Sequence, residues 1–132
     1  MYKRQVIKRV SEGQVVVLIS DAGTPGISDP GARVIAAVAE AGLFVTTAPG
    51  PAAVIAALTI SGLPTERFIM EGFVPRKAGE REALYAQWAK EQRTVVFSES
   101  PQRLVTTLRE LAVHYPERRV ACLLYTSDAA DE

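Results

Sequence analysis

The segment Ser20-Asp-Ala-Gly-Thr-Pro-Gly-Ile-Ser-Asp-Pro-Gly31 gathers turn-forming and hydrogen-bonding residues directly behind an apolar run. A glycine-rich turn at the carboxyl end of a buried strand is where α/β proteins commonly bind ligands. Gly23 and Gly31 allow the main chain to approach a ligand closely and suit positive φ angles. Asp21 and Asp29 can accept hydrogen bonds from an amine or a ribose hydroxyl. The G-x-G-x-x-G spacing of dinucleotide sites is absent. The competing reading is a long turn whose aspartates only cap helices.

Two further places can carry chemistry. At Pro49-Gly50-Pro51-Ala52 a helix start would present unpaired N–H groups to a carboxylate or a ribose. An ordinary strand-to-helix turn accounts for the same residues. Arg76, Lys77 and Arg81 lie close to Phe73, and phosphate contacts beside a stacking surface suit RNA. A solvated basic face is the alternative. Glu99 and Arg103 flank a later helix start, either as substrate contacts or as a local ion pair.

Other chemistries find no support. The Walker lysine motif is absent, and Ser20, Ser28 and Ser98 lack a G-x-S-x-G elbow. His114 is the single histidine and Cys122 the single cysteine, so no metal site is expected. Fifteen basic and fifteen acidic residues balance to a net charge of zero. RNA binding by bulk charge is therefore excluded, and any contact must be local. No apolar run approaches the roughly 20 residues of a membrane span, and no signal peptide is expected. A lone cysteine fits a cytoplasmic protein only if Cys122 is native to the chain.

The elements that must position these residues alternate. Val15–Ile19 is a continuous β-branched run, expected as a strand covered on both faces. Asp29 and Pro30 resemble an N-cap and first helical position. Val34, Ile35, Val38 and Ala41 then share a helical face that Gly42 ends, and Leu43–Thr47 is a second strand. Ala52–Ile60 is apolar nearly all round, hence a buried helix. After the break Ser61-Gly-Leu-Pro64 come a strand at Arg67–Phe73, a basic loop at Val74–Gly79 and a helix at Glu80–Gln92 with Leu84 and Trp88 buried. Thr94–Phe97 is the next strand. The helix Pro101–Val113 follows with Leu104, Leu108 and Leu111 on one face, and Arg119–Ala121 begins another strand. This order predicts an α/β fold, built from parts of two domains, with a mostly parallel sheet in the first.

Four motifs then coincide: Ser20 to Gly31 as quoted, Ala48-Pro-Gly-Pro51, Ser61-Gly-Leu-Pro64 and Glu71-Gly-Phe-Val-Pro-Arg-Lys77. Their order and spacing resemble the ribosomal RNA small-subunit methyltransferase I family, a branch of the tetrapyrrole (corrin and porphyrin) methylase superfamily. The resemblance implies S-adenosylmethionine held in a cleft between two α/β domains. It also implies 2′-O-methylation of a cytidine in the decoding region of 16S ribosomal RNA in the small subunit, by a cytoplasmic homodimer. Carried over by position, Asp21, Ala22, Gly23, Thr24, Pro25, Ser28, Asp29 and Gly31 form the cofactor loop, joined by Pro49, Gly50, Pro51 and Ala52. Phe73, Arg76, Lys77, Arg81 and Arg103 would meet RNA, and Lys77 and Glu99 are the candidates for the catalytic base. In Ser98-Glu-Ser-Pro-Gln-Arg103, Ser98 replaces the family's aromatic residue and Gln102 its histidine. A tetrapyrrole methyltransferase and a non-catalytic nucleotide-binding module are the rival readings.

Both ends resemble something else. Met1–Gln5 and Cys122–Glu132 match translations of opposite strands of a transposase sequencing adaptor. Residues 6–63 are then expected to be the later part of a first domain, and 64–121 the start of a second. The family's opening Gly-Asn-Leu loop would precede Val6, so the segment would carry part of the site and no activity alone.

Overall fold

The computed structural model describes residues 2–21 and 23–124. The cofactor-loop candidate Ala22, together with Met1 and residues 125–132 of the two expected adaptor-derived ends, lies outside the described residues. The chain divides into two compact units between Ala53 and Val54, so the restart expected at Ser61–Pro64 falls inside the second.

In the first unit, α1 spans Tyr2–Ser11. Tyr2, Val6 and Val10 recur every fourth residue, and Lys8 and Arg9 place positive charge in the last turn, where the helix dipole favours it. The polar lead-in before Gly13 is therefore helical. Helix α2, Ala32–Glu40, packs against α1 and buries Ala37 and Val38. Its end is set by Gly42 at φ 70°. There the Gly42 N–H donates to Ala39 O at 2.9 Å and Leu43 N–H to Val38 O at 3.2 Å, the paired bonds of a Schellman motif. The start differs from expectation. Gly31, not Asp29, is the N-cap, at φ 129° and with no side-chain cap.

The strands expected at Val15–Ile19 and Leu43–Thr47 do not form. Far from being covered on two faces, Val15 is 91% and Ile19 83% exposed. Branched apolar residues supply strand propensity, but a ladder needs the N–H and C=O groups of a neighbour. No strand is present among the described residues of this unit.

The second unit contains nearly all of α3 (Ala53–Ile60), followed by β1 (Phe68–Phe73), α4 (Ala78–Trp88), β2 (Thr94–Ser98) and α5 (Pro101–His114). Helix α3 buries only Leu58 and leaves Ile55 and Ile60 exposed, which corrects the expectation of all-round burial: no described element covers those positions. Strands β1 and β2 pair in parallel through Phe68↔Thr94 to Phe73↔Ser98, with α4 as the crossover that parallel pairing requires. The register slips between Met70 and Gly72. Glu71 is the extra residue of a bulge that Gly72 accommodates at φ 72°. The α/β class holds, with the parallel sheet in the second unit instead of the first.

Val74, Tyr85, Trp88 and Leu111 form the core, with Leu84, Val95, Phe97 and Tyr115 packed around it. The Trp88 ring lies 5.1 Å from Phe97 and 5.7 Å from Tyr85, both tilted. Arg118 donates to Trp88 O at 2.9 Å and also to Glu91 O. This ties down the chain beyond α5, where Arg119–Ala121 is not a strand, again for want of a paired neighbour. An open, mainly apolar groove of about 530 Å³ runs beside β2, lined by Trp88, Phe97, Leu104, Leu108 and Leu111 among others.

Candidate functional site

In the first unit the Ser20–Gly31 loop is a chain of tight reversals. Thr24 O accepts from Ile27 N–H at 3.1 Å. Gly23, Gly26 and Gly31 have φ of 72°, 82° and 129°, and Ser28 lies at 55°. Such angles are costly for residues with a Cβ, and strain of this kind gathers at ligand-binding turns. A Cβ on Gly31 would stand 2.6 Å from Leu18 Cδ2, whereas one on Gly23 would meet nothing within 4 Å. Gly31 thus seats the loop on the preceding chain, and Gly23 leaves open space beside its main chain.

The two aspartates part company. Asp21 is exposed. Asp29 holds Oδ2 out of solvent, with no hydrogen-bond partner among the described residues. A buried carboxylate oxygen without a donor is unfavourable, since its lost hydration is not replaced. The atom therefore suits a ligand donor, as an amine or a ribose hydroxyl would provide, and so fits S-adenosylmethionine. Thr24 and Pro25 are half-buried and Ser28 is exposed in the same loop. Pro49, Gly50 and Pro51 are exposed, and Ala52 is half-buried directly before α3. That turn carries the unpaired first N–H groups of the helix.

In the second unit the remaining candidates collect where the two parallel strands end. Phe73 closes β1 and is 65% exposed. Val74 continues the ladder with its N–H to Ser98 O at 3.4 Å, and the chain then turns through Pro75, Arg76 and Lys77 into α4. Glu99 and Ser100 make the matching turn into α5, where Pro101 at the first helical position presets φ. Arg76 and Lys77 are exposed, and Lys77 Nζ lies 3.1 Å from Glu80 Oε1.

Arg81 and Arg103 both bond within the second unit. Arg103 Nη2 donates to Val74 O and Pro75 O at 2.9 Å each and lies 3.1 Å from Glu99 Oε2. Arg81 Nη1 donates to Arg76 O at 2.7 Å, while its Nε and Nη2 grip Glu110 at 3.0 and 2.8 Å. The Glu110 carboxyl is held below its ordinary value, first by the hydrogen bond from Arg81, and the Arg81 guanidinium is raised in return. Glu99 faces inward with a side chain only 2% exposed, accepting from Ser100 N–H and Thr107 Oγ1 at 2.8 Å each. Lys77 and Glu99 thus stand at the ends of adjacent strands without bonding to each other.

Thr107 and Glu110 complete this arrangement and escape sequence reading. Arg103 and Thr107 share a polar stripe at helical spacing beside the leucine face, which was the only signal available. Glu110 lies 29 residues from Arg81, and nothing local links them. His114 is exposed and lies 3.2 Å from Glu82. The described residues contain no cluster of metal-ligating side chains.

The strand-helix-strand unit, with its loops gathered at the strand ends, defines an α/β protein, and its glycine turn carries a carboxylate oxygen with no hydrogen-bond partner among the described residues. The chain belongs to the Tetrapyrrole (Corrin/Porphyrin) Methylases, which match residues 2–126. It is 52% identical over 105 residues to the Mycobacterium tuberculosis (strain CDC 1551 / Oshkosh) protein named Ribosomal RNA small subunit methyltransferase I, covering 80% of this chain and 37% of that protein. Proteins of the same name from Synechocystis sp. and Escherichia coli O157:H7 are each 44% identical, over 116 and 119 residues. Those alignments cover 88% and 89% of this chain and 42% and 41% of the relatives. The chain thus spans about two fifths of the length of these curated relatives.

Proposed function

We propose that this chain is part of a cytoplasmic, S-adenosylmethionine-dependent methyltransferase that acts on the ribose 2′-hydroxyl of a cytidine in 16S ribosomal RNA of the small subunit, working as a homodimer. The observation that carries the cofactor assignment is the shielded, unpartnered Asp29 Oδ2 in the Ser20–Gly31 loop. The names of the relatives supply the acceptor class. In this reading residues 6–63 come from the cofactor domain and 64–121 from the domain that receives RNA. No helix among the described residues is long and apolar enough to cross a membrane.

Bound S-adenosylmethionine would supply a methyl group already activated by its sulfonium, so the protein's task is mainly position and orientation. Asp29 accepts a hydrogen bond from the cofactor's amine or ribose. Gly23 admits close main-chain approach, with Asp21, Ala22, Thr24, Pro25, Ser28 and Gly31 shaping the same loop. The turn Pro49–Ala52 offers N–H groups to a carboxylate or ribose oxygen. Phe73 stacks on a base, and Arg76 and Lys77 meet phosphate. A ribose hydroxyl is a weak nucleophile until its proton is drawn away. Lys77, the exposed member of the pair Lys77 and Glu99, stabilises negative charge developing on that oxygen while the proton passes to solvent water. Glu99, enclosed by three donors, holds structure at the same strand end.

The test uses the full-length protein with undermethylated 30S subunits and labelled S-adenosylmethionine, mapping where label enters. Label on a cytidine ribose of 16S RNA is the expected result. Cofactor binding without RNA label, but with label on a porphyrin precursor, would move the assignment to the tetrapyrrole reading. Absence of cofactor binding would overturn the loop assignment.

A further inference from the structure

We infer that Arg103 and Arg81 are positioning residues that lock the Val74–Lys77 loop in place, leaving Arg76 and Lys77 to make the phosphate contacts; this rests on the RNA reading above. Three successive carbonyls of the loop, Val74, Pro75 and Arg76, each accept from a guanidinium. Arg81 spreads its donors over the planar guanidinium, Nη1 to the loop and Nε and Nη2 to Glu110, a geometry an ammonium cannot reproduce. Arg103, in contrast, reaches the loop through Nη2 alone. Each guanidinium is also paired with a carboxylate: Arg103 with the enclosed Glu99, Arg81 with Glu110.

These carboxylates are themselves immobilised. Glu99 is fixed by Ser100 N–H and by Thr107, which is 2% exposed. Glu110 also accepts from Tyr85 Oη at 3.0 Å, and Tyr85 is fully buried. The loop is therefore tied to α4 through Arg81 and to α5 through Arg103. Its outward groups are the exposed Phe73, Arg76 and Lys77. Capping the carbonyls with cations also removes a row of acceptor oxygens that would repel phosphate. The result is a rigid basic tip on a chain of zero net charge.

The test uses the full-length protein, a labelled RNA hairpin from the 16S decoding region and a salt series. Each phosphate contact contributes about 0.7 to 0.9 to the slope of log K against log salt. Arg76→Ala and Lys77→Ala should each flatten the slope by roughly one such contact. Arg81→Lys should weaken binding about as much as Arg81→Ala, and neither these nor Arg103→Ala should weaken it further in an Arg76→Ala/Lys77→Ala background. The sharper variant is Glu99→Gln. It removes a negative charge, so simple electrostatics predicts equal or tighter binding, whereas loss of positioning predicts weaker binding.

Amide exchange over residues 74–78 without RNA reads the loop directly and should accelerate in Arg81→Lys, Arg103→Ala and Glu99→Gln. Unchanged exchange, or an Arg81→Lys protein that binds like the parent while Arg81→Ala loses one contact additively, would overturn the inference. If the parent protein shows no salt-dependent RNA binding, the RNA reading fails. The exchange data then decide the positioning role alone.

Discussion

Arg81 and Glu110 meet in a two-point ion pair across 29 residues of sequence, with Nε and Nη2 at 3.0 and 2.8 Å from the two carboxylate oxygens. The pair joins α4 to α5 and stands beside Tyr85, so it lies between the core and the basic loop. Ion pairs of this two-point geometry are directional and stronger than single contacts.

An acid-side dependence follows. Arg81, more than Tyr85, holds the Glu110 carboxyl below its ordinary 4.5. A depressed carboxyl contributes stability above its unfolded value and loses it as pH falls through the folded one. Amide exchange in α4 and α5 of the full-length protein should therefore accelerate as pH drops below about 4.5, after correction for intrinsic exchange. Glu110→Gln should exchange faster at neutral pH and show a flatter profile. The profile will not be level, because the Glu91 carboxyl, held at about 2 by Arg93, adds to the same acid loss.

The alkaline side has the opposite sign. Burial, followed by the hydrogen bond to Glu110, pushes the Tyr85 phenol up to about 12. A raised phenol contributes stability that is complete below its ordinary value of 10 and is lost between there and about 12. Tyrosinate absorbance should show a late, cooperative component from Tyr85 and Tyr115, whose phenol burial also raises, and it should coincide with loss of the Trp88 fluorescence signal. In Tyr85→Phe that component should shrink, leaving the part due to Tyr115. A Tyr85 that ionises near pH 10 with the fold intact would contradict the burial argument.

Sequence was most informative where the signal is local. The βαβ order of the second unit, the leucine face of α5 and the Gly42 stop were all legible, because each depends on residues within one turn or one strand. The strands at Val15–Ile19 and Leu43–Thr47 were misread because strand formation depends on a partner that propensity cannot guarantee. Placing the helix N-cap at Asp29 failed for a related reason. Asp29 and Pro30 have the right residue types, but the loop reverses until Gly31 before α2 begins. At the site, sequence singled out Arg81, Arg103 and Glu99, yet not that they bond to backbone carbonyls and to one another, since those partners lie up to 29 residues away.

The unpaired apolar run predicts self-association. Val15, Val17 and Ile19 are 91%, 74% and 83% exposed, and a contiguous apolar segment without ladder partners is an aggregation hazard. The 132-residue chain expressed alone should elute as large species and bind a hydrophobic dye. Val17→Lys with Ile19→Lys should shift it toward monomer and reduce the dye signal. A sharp, reversible thermal transition of a monomeric parent chain would count against this.

Asp29 gives the most discriminating test of the cofactor loop, because ligand binding and stability should move in different directions. Its Oδ2 is shielded from water and has no donor among the described residues. Without ligand that atom is a cost to the fold; with ligand it becomes a hydrogen-bond acceptor, and a charge-assisted bond is worth roughly 1.5 to 3 kcal/mol. Asp29→Asn should therefore leave the melting temperature of the ligand-free full-length protein unchanged or higher. Its affinity for S-adenosylmethionine, measured by calorimetry, should fall by about one to two orders of magnitude. Gly31→Ala makes the contrast. Leu18 can turn its methyl away from the new Cβ, but the backbone at φ 129° cannot suit alanine, so stability and affinity should fall together, with a backbone cost of about 1 to 3 kcal/mol. If Asp29→Asn lowers stability and leaves affinity untouched, the carboxylate belongs to the fold, and the assignment of this loop to the cofactor loses its main support.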